Sequence, residues 1–128
     1  MSSKVVATNQ APAAIGPYSQ GIITGGFLYT AGQIPLDPKT GQMITGDMKA
    51  QTKRVFENLK AVLSAAGTDF RSVVKATVYL VSMDDFPLLN EVYSEYLGDT
   101  KPARSTVAVA ALPKGAKVEI DLVARIAE

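Results

Sequence analysis

An α+β fold, one mixed sheet carrying two helices on one face, is what three features of this 128-residue chain predict. Apolar residues recur at helical spacing near 47–66, and start and stop signals bound a second helix at 83–97. They alternate with polar residues in two others, 74–80 and 117–126, which is the period of a half-buried strand. Short β-prone runs punctuated by Gly and Pro fill the first third of the chain and residues 105–110. The order is β-β-β-α-β-α-β-β, and helices on one side leave the other sheet face in need of cover. Val107, Val109 and Val123 are small and apolar enough to meet a partner subunit there.

Each element has a local reason. Residues 4–8 (Lys-Val-Val-Ala-Thr) suit a short first strand, followed by a loop rich in Ala, Pro and Gly over 9–17. Ile22 to Thr24 and Phe27 to Ala31 flank Gly25-Gly26, a two-residue hairpin signal. Asp37-Pro38-Lys39-Thr40-Gly41 has turn composition. The first helix has Asp47 as its cap and stops at Gly67. Val55, Leu59, Val62, Leu63 and Ala66 form its apolar stripe. In the strand that follows, Val74, Ala76, Val78 and Leu80 alternate with Lys75, Thr77 and Tyr79. The second helix spans 83–97, with Ser82 as cap, Asp84 and Asp85 at its positive end, Pro87 in the first turn and Gly98 as the stop. The last two strands are interrupted by Pro113 and Gly115 and read most simply as a hairpin. Arg104 heads the first of them. Glu119 sits inside the second, opposite the apolar row Val118, Ile120, Leu122, Ala124 and Ile126.

Length and composition suit a single soluble domain over residues 1–128. A net charge of +1 supplies no general drive toward nucleic acid or anionic membrane, so neither is expected as a partner. With no cysteine there is no disulfide, thiolate nucleophile or thiolate metal ligand. With no histidine there is no imidazole base and no usual zinc site. The carboxylates lack ligand-like spacing, so no metal is expected. Met1-Ser2-Ser3-Lys4 lacks an apolar signal core and no run reaches membrane-spanning length, which makes the cytoplasm the expected location.

The candidate chemistry is therefore carboxylate and guanidinium chemistry. Arg104 offers a planar fork for a carboxylate or phosphate, although an arginine at a strand start is more often simply solvated. Glu119, mid-strand, can move a proton or serve a structural ion pair. Tyr18 follows Gly-Pro in a loop and can line a pocket or merely pack. Asn90, on the second helix, ordinarily reads as a polar surface residue. No phosphate-binding loop is present, since Gly41 to Gly46 lacks the Lys-Ser/Thr ending. Ser19, Ser105 and Thr106 have no histidine to activate them, though a Ser-Lys arrangement stays open.

Taken together, these signals resemble the reactive intermediate deaminase family (RidA, or YjgF). The resemblance is carried by Gly16-Pro17-Tyr18-Ser19-Gln20, Gly32-Gln33-Ile34-Pro35, Asn90, Pro102-Ala103-Arg104-Ser105 and Val118-Glu119-Ile120, and it covers essentially the whole chain. It implies a chorismate-mutase-like α+β subunit assembled as a homotrimer, with pockets in the clefts between subunits. The implied reaction hydrolyses 2-imino acids, or their enamine tautomers, released by pyridoxal-phosphate enzymes, to 2-keto acids and ammonia. On this sequence Arg104 would pair with the substrate carboxylate and Glu119 would orient or deprotonate the attacking water. Tyr18 would pack on the substrate, Gly32 would offer backbone groups near the carboxylate, and Asn90 would help shape the pocket. Two positions depart from many active relatives: Ala31 stands where they have serine, and Thr106 where they have cysteine. The alternatives are an endoribonuclease or translation inhibitor, and a non-enzymatic module that binds a small carboxylate.

Overall fold

Six strands and two helices make up the computed structural model, which describes residues 2–126. The strands are β1 (Lys4–Val6), β2 (Gly21–Thr24), β3 (Phe27–Thr30), β4 (Val73–Leu80), β5 (Ala103–Ala108) and β6 (Val118–Arg125); the helices are α1 (Met48–Ala65) and α2 (Phe86–Leu97). The predicted order holds throughout. The β2–β3 turn is Gly25-Gly26, both with positive φ (59° and 85°), as a tight hairpin turn of this kind needs. Asp47 caps α1, its carboxylate accepting from the Ala50 N–H at 2.9 Å. Ser82 caps a single 3-10 turn, Met83–Asp85, and only from Phe86 onward is the second helix α-helical. Among the described residues no helix is long and apolar enough to cross a membrane.

One sequence expectation fails in a way that matters. The strands carrying Arg104 and Glu119 are not a hairpin. The sheet order is β1-β2-β3-β6-β4-β5, with β6 antiparallel to both β3 and β4, and β5 parallel to β4 at the edge. Parallel neighbours need a crossover, and α2 supplies it between β4 and β5. The chain then passes the end of β4: Val109 N–H donates to the Leu80 carbonyl on one side, and Val81 N–H to the Lys117 carbonyl on the other. Side-chain pattern explains the placement. β6 buries Val118, Ile120, Leu122 and Ala124 and takes a central position, whereas β5 is mostly exposed or half-buried.

A smaller correction falls on β4. Val74 does not join the apolar row; it is exposed, because a register irregularity between Val73 and Lys75 turns Val73 inward instead.

The core lies between the sheet and the helices. Val55, Phe56, Leu59, Val62 and Leu63 of α1 and Leu89 and Val92 of α2 pack on Ala76, Val78, Leu80, Ile120 and Leu122. Among the described residues the opposite face carries no helix. Register places Val5, Ile22, Tyr29, Val123, Lys75 and Ala103 in one row across it. A second row is Asp121, Thr77 and Ser105; a third is Glu119, Tyr79 and Val107. Tyr29 and Val107 are exposed there at 46% and 43%, an apolar component that a solvated face does not require.

Candidate active site

Glu119 lies at the wall of a cavity of about 450 Å³, lined also by Tyr18, Ala31, Gly32, Gln33 and Lys114. Backbone pairing brings these residues together. Gln33 N–H donates to the Ile120 carbonyl at 2.9 Å and Ile120 N–H returns a bond to the Gln33 carbonyl at 3.2 Å. That isolated bridge lays the 31–34 segment against β6, so the chain crosses directly over the Glu119 side chain. A Cβ at Gly32 would stand 2.8 Å from the Glu119 Cδ and overlap its carboxylate. A side chain at residue 32 would therefore displace the Glu119 carboxylate from this position. Further along, buried Asn58 of α1 donates its amide to the carbonyls of Leu36 (3.0 Å) and Ile34 (3.3 Å), pinning the same segment from the helix side.

Tyr18 reaches this cavity from a loop that a single side chain holds in place. Gln20 is buried; its Oε1 accepts from Thr8 N–H at 2.6 Å, and its Nε2 donates to the carbonyls of Pro12 (2.7 Å), Thr8 (3.0 Å) and Ala11 (3.3 Å). Tyr18 itself is 52% exposed in the single chain. Its ring thus has one side free for a partner or ligand.

Burial raises the proton affinity of Glu119, and the negative charge of Asp121 two residues along raises it further. Asp121 is shifted in the same direction by burial, opposed by hydrogen bonds from Tyr79 and Thr77 and by the charge of Lys75. The Tyr79 hydroxyl donates to it at 3.2 Å. A carboxylate in this setting holds its proton more readily than a solvated one, as a general base that must also return a proton requires.

Arg104 sits elsewhere. Its register partner on β4 is the buried Ala76, so its side chain rises on the helix-covered face. There Arg104 Nη1 donates to Asn90 Oδ1 at 2.8 Å. The guanidinium carbon lies 4.6 Å from the centroid of the Tyr93 ring and 5.4 Å from that of Phe86. Asn90, Tyr93, Pro102 and Arg104 line a second cavity of about 470 Å³. Two hydroxyls nearby have no hydrogen-bond partner among the described residues although their oxygens are buried: Tyr93 on α2 and Thr106, two residues on from Arg104 and on the same face of β5. Burial raises the pKa of the Tyr93 hydroxyl, with the Arg104 charge opposing.

Of the five residues singled out from sequence, the chain therefore brings Tyr18, Gly32 and Glu119 together at one cavity and Arg104 and Asn90 together at another. It does not unite the two groups. Glu119 pairs with Tyr79 on the open face and Arg104 with Ala76 on the covered one, which puts their Cα atoms on the order of 14 Å apart with the sheet between their side chains. Sequence reasoning missed Phe86 and Tyr93, although their spacing from Asn90 (i, i+4, i+7) marks one face of α2. It also passed over Gln20, seen only as part of a motif. Among the described residues no group of three or more carboxylates converges as a metal-binding set.

Comparison with known proteins agrees on family. The family model described as Endoribonuclease L-PSP matches residues 8–126. A RutC family protein of Pyrococcus abyssi is 53% identical over 124 residues, covering 97% of this chain and 98% of its own. The 2-iminobutanoate/2-iminopropanoate deaminase of Mus musculus is 47% identical over 121 residues, covering 94% and 90% respectively. In structure, E. coli TdcF with bound serine superposes with a TM-score of 0.92 at 41% identity, over 97% of this chain and 99% of that one.

Proposed function

The chain belongs to the RidA/YjgF family, described by the endoribonuclease L-PSP model, and on that premise we propose that it is a 2-iminobutanoate/2-iminopropanoate deaminase. The observation that carries the reading is the Glu119 cavity: a half-buried carboxylate of raised proton affinity, with the chain at Gly32 pressed against it and Tyr18 beside it. In the proposed reaction the substrate carboxylate pairs with Arg104, whose fork keeps donors beyond the one Asn90 engages. Asn90 acts through that arginine. Glu119 accepts a proton as the water oxygen bonds to the imine carbon, then returns it to nitrogen. The carbinolamine collapses, the carbon–nitrogen bond breaks, and the 2-keto acid and ammonia leave. A protonated imine carbon is already electrophilic, so positioning and proton transfer suffice and no cofactor is invoked. The serine bound by the E. coli relative is a small carboxylate of the right class.

One small substrate cannot touch Arg104 and Glu119 of the same chain. We therefore include a homotrimer in the proposal, with each pocket formed where the Glu119 cavity of one subunit meets the Arg104 cradle of the next. The apolar row through Val5, Ile22, Tyr29 and Val123 supports burial of the open face in such an assembly. The remaining parts of the reading are a single domain over residues 1–128 and a cytoplasmic location.

The test is release of 2-oxobutanoate from freshly generated 2-iminobutanoate, with semicarbazide trapping imine that escapes hydrolysis. Wild type should outcompete the trap, while Arg104→Ala and Glu119→Gln should fail by about 10²-fold or more, with trimer mass unchanged. A monomeric, fully active wild type would overturn the shared pocket. The description of the family model favours endoribonuclease activity as a second reading. RNA cleavage that persists in highly purified protein and disappears in Arg104→Ala would support it. Ligand binding without turnover would favour the binding module.

A further inference from the structure

Lys114 is the one non-glycine residue among those described whose φ is positive, at 57°. It lies in the short turn Pro113–Gly115 that leads into β6, and the next residue, Gly115, also has positive φ. Left-handed backbone favours glycine, because a Cβ there crowds the following carbonyl. A lysine kept in such a place, beside a candidate active site, calls for a reason in its side chain. The neighbourhood supplies one. Lys114 lines the Glu119 cavity, and it is the only lysine or arginine among the residues that do. The ion pairs among the described residues are Lys49–Glu91 and Arg71–Asp69, so Lys114 has no carboxylate partner there. Burial and the charge of Asp121 raise the proton affinity of Glu119. Lys114 thus lines the cavity, exposed and without an ion pair to its carboxylate.

A 2-imino monocarboxylate has one anionic group, which the proposed mechanism assigns to Arg104. A second cation on the Glu119 side has no anion to meet unless the substrate side chain carries one. We infer that Lys114 is a specificity residue that binds a second anionic group, and that the protein also accepts 2-imino dicarboxylates, the imines of acidic amino acids. This inference rests on the deaminase reading for its chemistry. The flexible four-carbon stem suits recognition of a terminal carboxylate at variable distance.

The experiment compares 2-iminoglutarate with 2-iminobutanoate, each generated in place by an amino-acid oxidase, for wild type, Lys114→Gly and Lys114→Arg. The ratio of kcat/KM for the dicarboxylate over the monocarboxylate should fall at least tenfold in Lys114→Gly and recover most of that in Lys114→Arg. The Tm of Lys114→Gly should equal or exceed that of wild type, since glycine suits the backbone better. An unchanged ratio overturns the inference. So does a wild type that hydrolyses only the monocarboxylate. If wild type hydrolyses neither imine, the deaminase reading itself fails, and calorimetry with 2-oxoglutarate and 2-oxobutanoate decides the role of Lys114. At least tenfold weaker 2-oxoglutarate binding in Lys114→Gly, without matching loss for 2-oxobutanoate, sustains it; equal changes refute it.

Discussion

The wall around Glu119 is built of backbone, whereas the cradle around Arg104 is built of side chains. At Glu119 the bridge between Gln33 and Ile120 presses the chain at Gly32 onto the carboxylate, so that a methyl group there would meet it in its present position. At Arg104 the guanidinium rests between the Tyr93 and Phe86 rings and one amide oxygen of Asn90, all on a single helix. The two constructions should respond differently to mutation. A backbone wall transmits any added volume to the carboxylate, while an aromatic cradle tolerates replacements that keep a π face.

The largest effect is therefore expected at Gly32. Gly32→Ala places a Cβ within 2.8 Å of Glu119 Cδ, and the carboxylate must move away. A displacement of that order costs roughly 10²-fold in kcat. Gly32 itself is exposed in the single chain and its φ is not in the left-handed region, so Tm should change little. Steady-state hydrolysis of 2-iminobutanoate checks this. A Gly32→Ala enzyme within twofold of wild type would mean that Glu119 swings freely, and the contrast between wall and cradle would dissolve.

At the cradle the expected effect is smaller and depends on the replacement. Tyr93→Leu removes the ring under the guanidinium, worth roughly 0.5–2 kcal/mol, and should raise KM about two- to thirtyfold. Tyr93→Phe keeps the ring and removes a buried hydroxyl that has no partner, so it should leave KM near wild type without lowering Tm. Equal KM for the two variants would show that the ring does not hold Arg104.

The same contrast explains how much could be read from the sequence. Element order, the Asp47 cap, the Gly25-Gly26 turn and the two-sided pattern of β6 are local, and local chemistry announces them. Topology is not local. Pro113 and Gly115 between two β-prone runs suggest a hairpin, but nothing in those runs says that β4 comes between them. A hairpin would set Arg104 and Glu119 on neighbouring strands, whereas the sheet separates them. Val74 leaves the expected apolar row for a related reason, because an irregular register breaks the period of two. The Gln20 clamp was equally invisible: its four bonds go to backbone groups 8–12 residues away, which side-chain patterning does not encode.

The smallest effect separates the wall from the charges behind it. Burial is the first cause of the raised proton affinity of Glu119 and Asp121 the second. Asp121→Asn keeps a side-chain oxygen for the Tyr79 hydroxyl and leaves Gly32 where it is, removing the neighbouring negative charge alone. In the proposed reaction Glu119 must be deprotonated to act, so kcat/KM should rise with pH through its titration in the free enzyme. Without the repulsion from Asp121 that carboxylate loses its proton more easily. The acidic limb of the profile should then move to lower pH, still short of an ordinary solvated glutamate because burial remains. One charge in a half-buried setting that also faces Lys75 is worth no more than about 1 kcal/mol, so the rate should change by less than about fivefold. The gain should appear only on the acidic side, with the two enzymes converging above it. A limb that does not move would assign the whole shift to burial. A limb that moves to higher pH would show that Asp121 assists deprotonation, the reverse of the electrostatics described for this face.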